Sequence, residues 1–218
     1  MNDREIHDAV RILRAAVEHW QSPAVTIVSQ REGDPFKVLI SCILSLRTQD
    51  KVTGEASARL FARADNPFRM VRIPLHELER LIYPVGFYRT KAKQILEICE
   101  CLIARYEGLV PDDLQQLLEL KGVGRKTANL VVTLGFQKAG ICVDTHVHRI
   151  CNRWGYVATA TPDATEDALR LKLPAKYWIE INDLLVTFGQ NQCTPLSPRC
   201  STCPLYPLCD RVGVKKMR

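Results

Sequence analysis

Apolar residues recur along this chain at the three- and four-residue spacings of helices that bury one face, and runs that alternate at a period of two are scarce. The first twenty residues, MNDREIHDAVRILRAAVEHW, predict an amphipathic helix carrying Asp3, Arg4, Glu5, Asp8 and Arg11. Asp34-Pro35 is a helix start, a capping carboxylate followed by a first-turn proline. The run after it, FKVLISCILSL, is apolar on all sides, as a helix in the middle of a bundle requires. Asn66-Pro67 and Thr161-Pro162 repeat the start signal. Asp112, with Gln115 three residues on, predicts a cap for the segment carrying Leu114, Leu117 and Leu118. The best strand candidate is ICVDTHVHRI, but a single strand has no partner to pair with, so the predicted class is all-α. No repeat, low-complexity tract or linker divides the chain, so two lobes would pack directly and not hang on a tether.

Composition narrows the partners. The chain has 218 residues, 46% of them hydrophobic, enough for a substantial core. Its 30 basic residues exceed its 24 acidic ones, a net charge of +6 that leans mildly towards a polyanion. Charges through the N-terminal segment exclude a signal peptide, and the longest apolar runs, such as Val38 to Ile40 and Ile43 to Leu46, are too short to span a bilayer. A cytoplasmic protein without a membrane span is expected. Nine cysteines, an odd number without an export signal, fit reduced thiols and a metal site better than disulfides.

Two features carry candidate chemistry. LLELKGVGRKTANLVVTLGF sets Gly122-Val123-Gly124 between two helical segments, a tight turn whose backbone N–H groups, with the positive end of the next helix, can hold a phosphate oxygen. Val123 anchors such a turn, and Arg125 and Lys126 follow at once. A lysine in the first turn of a helix is placed to serve as a nucleophilic amine. A phosphate contact is the other use of such a lysine. Asp144 follows 18 residues later (144 − 126) and suits either a helix N-cap or a carboxylate that balances positive charge on a sugar. His146 and His148, two residues apart, point to different sides of a helix and are expected to pack or hydrogen-bond. At the end of the chain, Cys193, Cys200, Cys203 and Cys209 form C-x6-C-x2-C-x5-C, four thiols that can surround zinc or an iron-sulfur cluster, with Pro195, Pro198, Pro204 and Pro207 favouring an irregular loop.

LKGVGRKTANLVV resembles the helix-hairpin-helix of the endonuclease III family of DNA glycosylases, and VDTHVHRICNR resembles that family's aspartate motif. Hairpin, lysine, aspartate and terminal cysteines come in the family's order, and the likeness runs from about Pro35 to Cys209. The resemblance implies two packed helical lobes with a DNA cleft between them. Residues 28–138 would form a six-helix barrel domain with the hairpin, and 1–27 with 139–218 a discontinuous iron-sulfur domain. It implies a base-excision-repair enzyme, a monomer acting on double-stranded DNA with a damaged base or abasic site. Such an enzyme removes damaged bases, oxidised pyrimidines foremost, and nicks by β-elimination through a Schiff base on Lys126, with Asp144 as its carboxylate partner. The four cysteines would hold a [4Fe-4S] cluster, with Arg199 touching the DNA backbone and Arg211, Lys215 and Lys216 as substitutes. VGFYRTKAKQI resembles the wedge loop, with Val85 and Phe87 at the gap and Lys91 or Lys93 near phosphate. SLRTQD resembles the gap-filling loop, where Arg47 departs from the family's usual glutamine. The alternatives are a monofunctional mismatch glycosylase that activates water and a non-catalytic iron-sulfur DNA-binding module.

Overall fold

A computed structural model of the chain describes residues 1–20 and 22–218. Among the described residues all regular structure is helical. The segment proposed as a strand has an irregular front half, and its back half is helix.

Among the described residues the α-helices are α1 (Glu5–Val17), α2 (Ala24–Glu32), α3 (Pro35–Ser45), α4 (Asp50–Arg63), α5 (Pro67–Met70), α6 (Leu75–Ile82), α7 (Tyr88–Tyr106), α8 (Leu114–Leu118), α9 (Arg125–Leu130), α10 (Thr145–Arg153), α11 (Pro162–Lys172) and α12 (Ile181–Asn191). A π-turn, Val131–Gly135, continues α9. The chain divides into two compact units, Ala24–Lys138 and Met1–Pro23 with Ala139–Arg218.

The Ala24–Lys138 unit is built around α3. Asp34 accepts from the backbone N–H of Phe36 at its start, and every residue from Val38 to Leu44 is buried. With no polar face, α3 must be surrounded, and α2, α4, α7, α9 and the π-turn all pack on it. Asn66 caps α5 through the N–H of Arg69. One start signal needs correcting by a residue. Asp113, not Asp112, caps α8, accepting from the N–H groups of Gln115 and Gln116. Asp112 instead pairs with Lys138 at 2.6 Å. Cap geometry depends on where the chain leaves the extended region, which adjacent aspartates do not reveal.

In the other unit α1 buries Ile6, Ala9, Val10 and Leu13, the i, i+3, i+4, i+7 stripe of an amphipathic helix, and packs on α12. Its core also takes in Trp154 of the turn after α10, Leu169 of α11 and Phe188 of α12. Thr161 caps α11 through the N–H of Ala164. No described helix is long and apolar enough to cross a membrane.

Candidate catalytic site and DNA-contact loops

The turn between α8 and α9 is held from below. Val123 is buried, and its N–H donates to the Leu120 carbonyl at 3.0 Å. Burial of this one side chain stabilises the turn by about 2 kcal/mol. Gly122 has φ +73°, and a Cβ there would run into the Gln94 side chain, whose Nε2 donates to the Lys121 carbonyl at 3.1 Å. The positive φ favours glycine at 122, and a larger residue would also displace the Gln94 amide. Gly124 has φ −91° and would meet nothing within 4 Å, so the protein leaves space over it. Beside the turn, Arg89, Thr90, Lys93, Gln94, Glu97 and Lys121 line a concavity of about 480 Å³.

Lys126 stands in the first turn of α9 and is half-buried. Its ammonium lies near enough to the Cys42 thiol of α3 to favour the thiolate, although burial dominates and pushes that thiol up to about 12. Nothing local signals this neighbour, because Cys42 sits inside a uniformly apolar helix. Asp144 is buried and caps α10, its Oδ1 accepting from the N–H groups of His146 at 2.8 Å and Val147 at 2.9 Å. A carboxylate has about four lone-pair sites, so capping is compatible with a second task. Lys126 and Asp144 belong to different compact units. His146 Nδ1 contacts Arg149 at 3.1 Å and His148 Nδ1 contacts Thr165 at 2.7 Å, so both serve as hydrogen-bonding residues.

Two of the residues expected at the DNA do something else. Val85 is only 1% exposed and belongs to the core, which excludes it as a wedge. Lys91 is 5% exposed, and its ammonium donates to the Leu44 carbonyl at 2.8 Å, the Leu46 carbonyl at 2.5 Å and Thr48 Oγ1 at 3.2 Å. It does not reach a surface phosphate. Of the two lysines proposed there, helical spacing leaves Lys93 exposed, while Lys91 starts the buried face with Ala92, Ile95 and Ile98. Burial lowers the Lys91 amine to about 8.

Arg47 and Phe87 remain outside. Phe87 is 62% exposed, against the expectation for an ordinary core aromatic. The Arg47 guanidinium lies over its ring, 5.6 Å from the centroid. Both residues have positive φ, +52° and +58°.

The terminal cysteines lie in an irregular loop with 3₁₀ turns at Cys200–Thr202 and Tyr206–Leu208. Two arginines of α10 hold its entrance. Arg149 donates to the Cys193 carbonyl at 2.8 Å, while Arg153 donates to Cys193 Sγ at 3.3 Å and to the Thr194 and Pro195 carbonyls. Their i, i+4 spacing in VHRICNR is the signal that could have found them. Burial raises the Cys200, Cys203 and Cys209 thiols, Cys203 to about 11, and Cys193 adds a smaller push to each. Among the described residues no three His, Cys, Asp or Glu side chains group closely enough to hold a single metal ion. Arg199 is exposed. Arg211 is engaged within the loop, donating to the Tyr206 and Cys209 carbonyls and covering the Tyr206 ring at 4.2 Å.

Comparison with known proteins places this geometry. Residues 40–175 match the HhH-GPD superfamily of base excision DNA repair proteins. The chain is 47% identical to endonuclease III of Thermotoga maritima over 84% of its own length and 85% of that protein's. It is 43% identical to the chloroplastic endonuclease III homolog 2 of Arabidopsis thaliana over 80% of its length, spanning 47% of that longer protein. Among solved structures it resembles a trapped endonuclease III–DNA covalent intermediate with a TM-score of 0.85 and 32% identity, covering 97% of both chains. By the all-helical fold, the glycine hairpin and these likenesses, the chain belongs to the endonuclease III family of the HhH-GPD superfamily.

Proposed function

We propose that this chain is a bifunctional base-excision DNA glycosylase and AP lyase whose nucleophile is Lys126, with oxidised pyrimidines and abasic sites in duplex DNA as its substrates and the monomer as its working form. The observation that carries the reading is the half-buried amine in the first turn of a helix that follows an open glycine turn, in a chain 32% identical to one trapped as a covalent intermediate with DNA.

The chemistry follows from the residue types. The Gly122–Gly124 turn and the N-terminus of α9 hold a backbone phosphate, and Arg125 adds charge. Deprotonated Lys126 Nζ attacks C1′ of the damaged nucleotide, and the C1′–N bond breaks with its electron pair leaving on the base, which takes up a proton. Ring opening gives an iminium between Nζ and C1′. Loss of a C2′ proton then expels the 3′ phosphate by β-elimination, and water releases the lysine. Asp144 supplies negative charge where the sugar becomes cationic, the use carboxylates serve in glycoside hydrolysis. Its cap bonds fix its orientation.

The terminal loop would hold a [4Fe-4S] cluster through Cys193, Cys200, Cys203 and Cys209, making Met1–Pro23 with Ala139–Arg218 the cluster-bearing unit. Two observations support the fit: an all-thiol donor set and an arginine N–H aimed at one sulfur. When bound, the cluster orders the loop. Arg199 is the exposed cation there that can meet a phosphate.

The test is borohydride trapping on abasic-site DNA. The wild type is expected to form a covalent adduct and Lys126→Ala none. Base release without any adduct would instead mark a water-activating glycosylase. Metal analysis separates the second assignment, since a colourless zinc protein would refute the cluster and leave the lysine chemistry standing.

A further inference from the structure

The departures around Lys91 point to a working part. Its ammonium has three N–H donors and three oxygen acceptors, all within the polypeptide. Two of the acceptors, the Leu44 carbonyl in the last turn of α3 and the carbonyl of its C-cap Leu46, lie at the helix end, where carbonyls lack intrahelical partners and a cation is favoured. The third, Thr48 Oγ1, also donates to the Leu46 carbonyl at 3.3 Å and accepts from the Gly86 N–H at 3.1 Å. One buried node therefore joins the end of α3, the segment 46–49 and the turn before α7.

The backbones at this node touch. A Cβ on Gly86 would stand 2.5 Å from the Arg47 carbonyl oxygen, so only glycine permits the approach. On either side of it are Arg47 and Phe87, both in the left-handed region that costs a non-glycine residue about 1 kcal/mol or more. Such conformations persist only where the surroundings enforce them. An apolar side chain would fill the space of Lys91 without the cost of burying an amine. What it would not do is tie two carbonyls and a hydroxyl from the neighbouring loop to α7.

We propose that Lys91 is a positioning residue for nucleotide extrusion: by fixing segment 46–49 against the turn at Gly86, it presents Arg47 and Phe87 as one rigid stack that enters the duplex where the damaged nucleotide leaves. The inference rests on the glycosylase reading and adds the device that makes extrusion productive. A rigid stack occupies the gap without first losing side-chain and loop freedom, so the cost of unstacking a base is offset at the moment it falls due. An abasic nucleotide has no base to unstack, so its cleavage should depend far less on the stack.

The experiment compares two substrates under single-turnover conditions. One duplex carries thymine glycol opposite 2-aminopurine, whose fluorescence reports unstacking of the opposite base; the other carries a preformed abasic site. For Lys91→Met, base release is expected to fall at least tenfold and the fluorescence rise on binding to shrink, while borohydride trapping on abasic DNA falls less than threefold. Thr48→Val, which removes one spoke of the node, is expected to show the same split at about three- to fivefold, and it serves if Lys91→Met does not fold. Wild-type rates of base release in the folded variants would overturn the proposal, as would equal losses on both substrates, which mark a purely structural lysine. Failure of the wild type to trap on abasic DNA would instead strike the glycosylase and lyase reading itself.

Discussion

The first turns of α7 and α9 begin from similar sequence and end in opposite uses. Each follows a turn containing glycine, at Gly86 and at Gly122 with Gly124, and each carries an arginine and a lysine early in the helix. Lys91 points inward and spends its ammonium on the carbonyls that end α3. Lys126 is half-buried beside Cys42, farther back on the same helix. The local motif thus places a cation at the start of a helix, and the neighbour opposite decides whether it becomes a strut or a reagent. Here α3 serves both turns, by its end and by its flank.

The comparison breaks most visibly at the reagent. Lys126→Ala is expected to abolish covalent trapping, with nicking of abasic DNA down by about 10³-fold or more, as loss of a catalytic nucleophile commonly costs. Gel assays of nicking under single turnover check it. Asp144→Asn comes next, at about 10²- to 10³-fold in base release, the range seen when a charge-stabilising group is lost. Asparagine caps helices as well as aspartate does, so the melting temperature should hardly move. A large loss of stability would show that the carboxylate's charge holds the fold, since asparagine retains the cap.

The glycines sharpen the picture further. Gly122→Ala is expected to destabilise by about 1–3 kcal/mol through its positive φ and the contact with Gln94. Gly124→Ala meets no protein atom and should leave stability nearly unchanged, while weakening DNA binding several-fold because the added methyl stands where the phosphate backbone approaches. Thermal melts and fluorescence anisotropy on abasic duplex distinguish the two. If Gly124→Ala bound as tightly as the wild type, the turn would not be a phosphate site.

The strut adds a pH dependence of stability. In the folded chain burial lowers the Lys91 amine from 10.5 to about 8. Between those values the unfolded chain still holds a proton that the folded chain has released, so rising pH favours the folded state through this group. From pH 7.5 to 9.5 the wild type should gain about 2 kcal/mol relative to Lys91→Met, which lacks the titration. The difference in melting temperature between the two proteins at each pH measures it.

Much of this was legible in the residues themselves. The period of the apolar positions, the Asp34-Pro35, Asn66-Pro67 and Thr161-Pro162 starts and the GVG turn depend on neighbours within a few residues, where backbone sterics and side-chain reach are fixed by chemistry. The loops were legible only in part. Phe87 and Val85 are two residues apart in one turn, one exposed and one in the core, and no local rule separates them. Asp112 and Asp113 differ only in which φ and ψ the chain adopts between them.

What the sequence determined by itself is an all-helical chain with a glycine turn before Lys126, a capping Asp144 and four closely spaced terminal thiols, since each is set by contacts within a turn or two. The tertiary structure alone decided that Lys91 is buried under the end of α3, that Arg47 lies on Phe87, that Cys42 faces Lys126 and that Arg149 and Arg153 grip the cysteine loop. Those partners lie roughly 40 to 85 residues apart, and only the packing of one helix on another brings them within reach of a hydrogen bond or a charge.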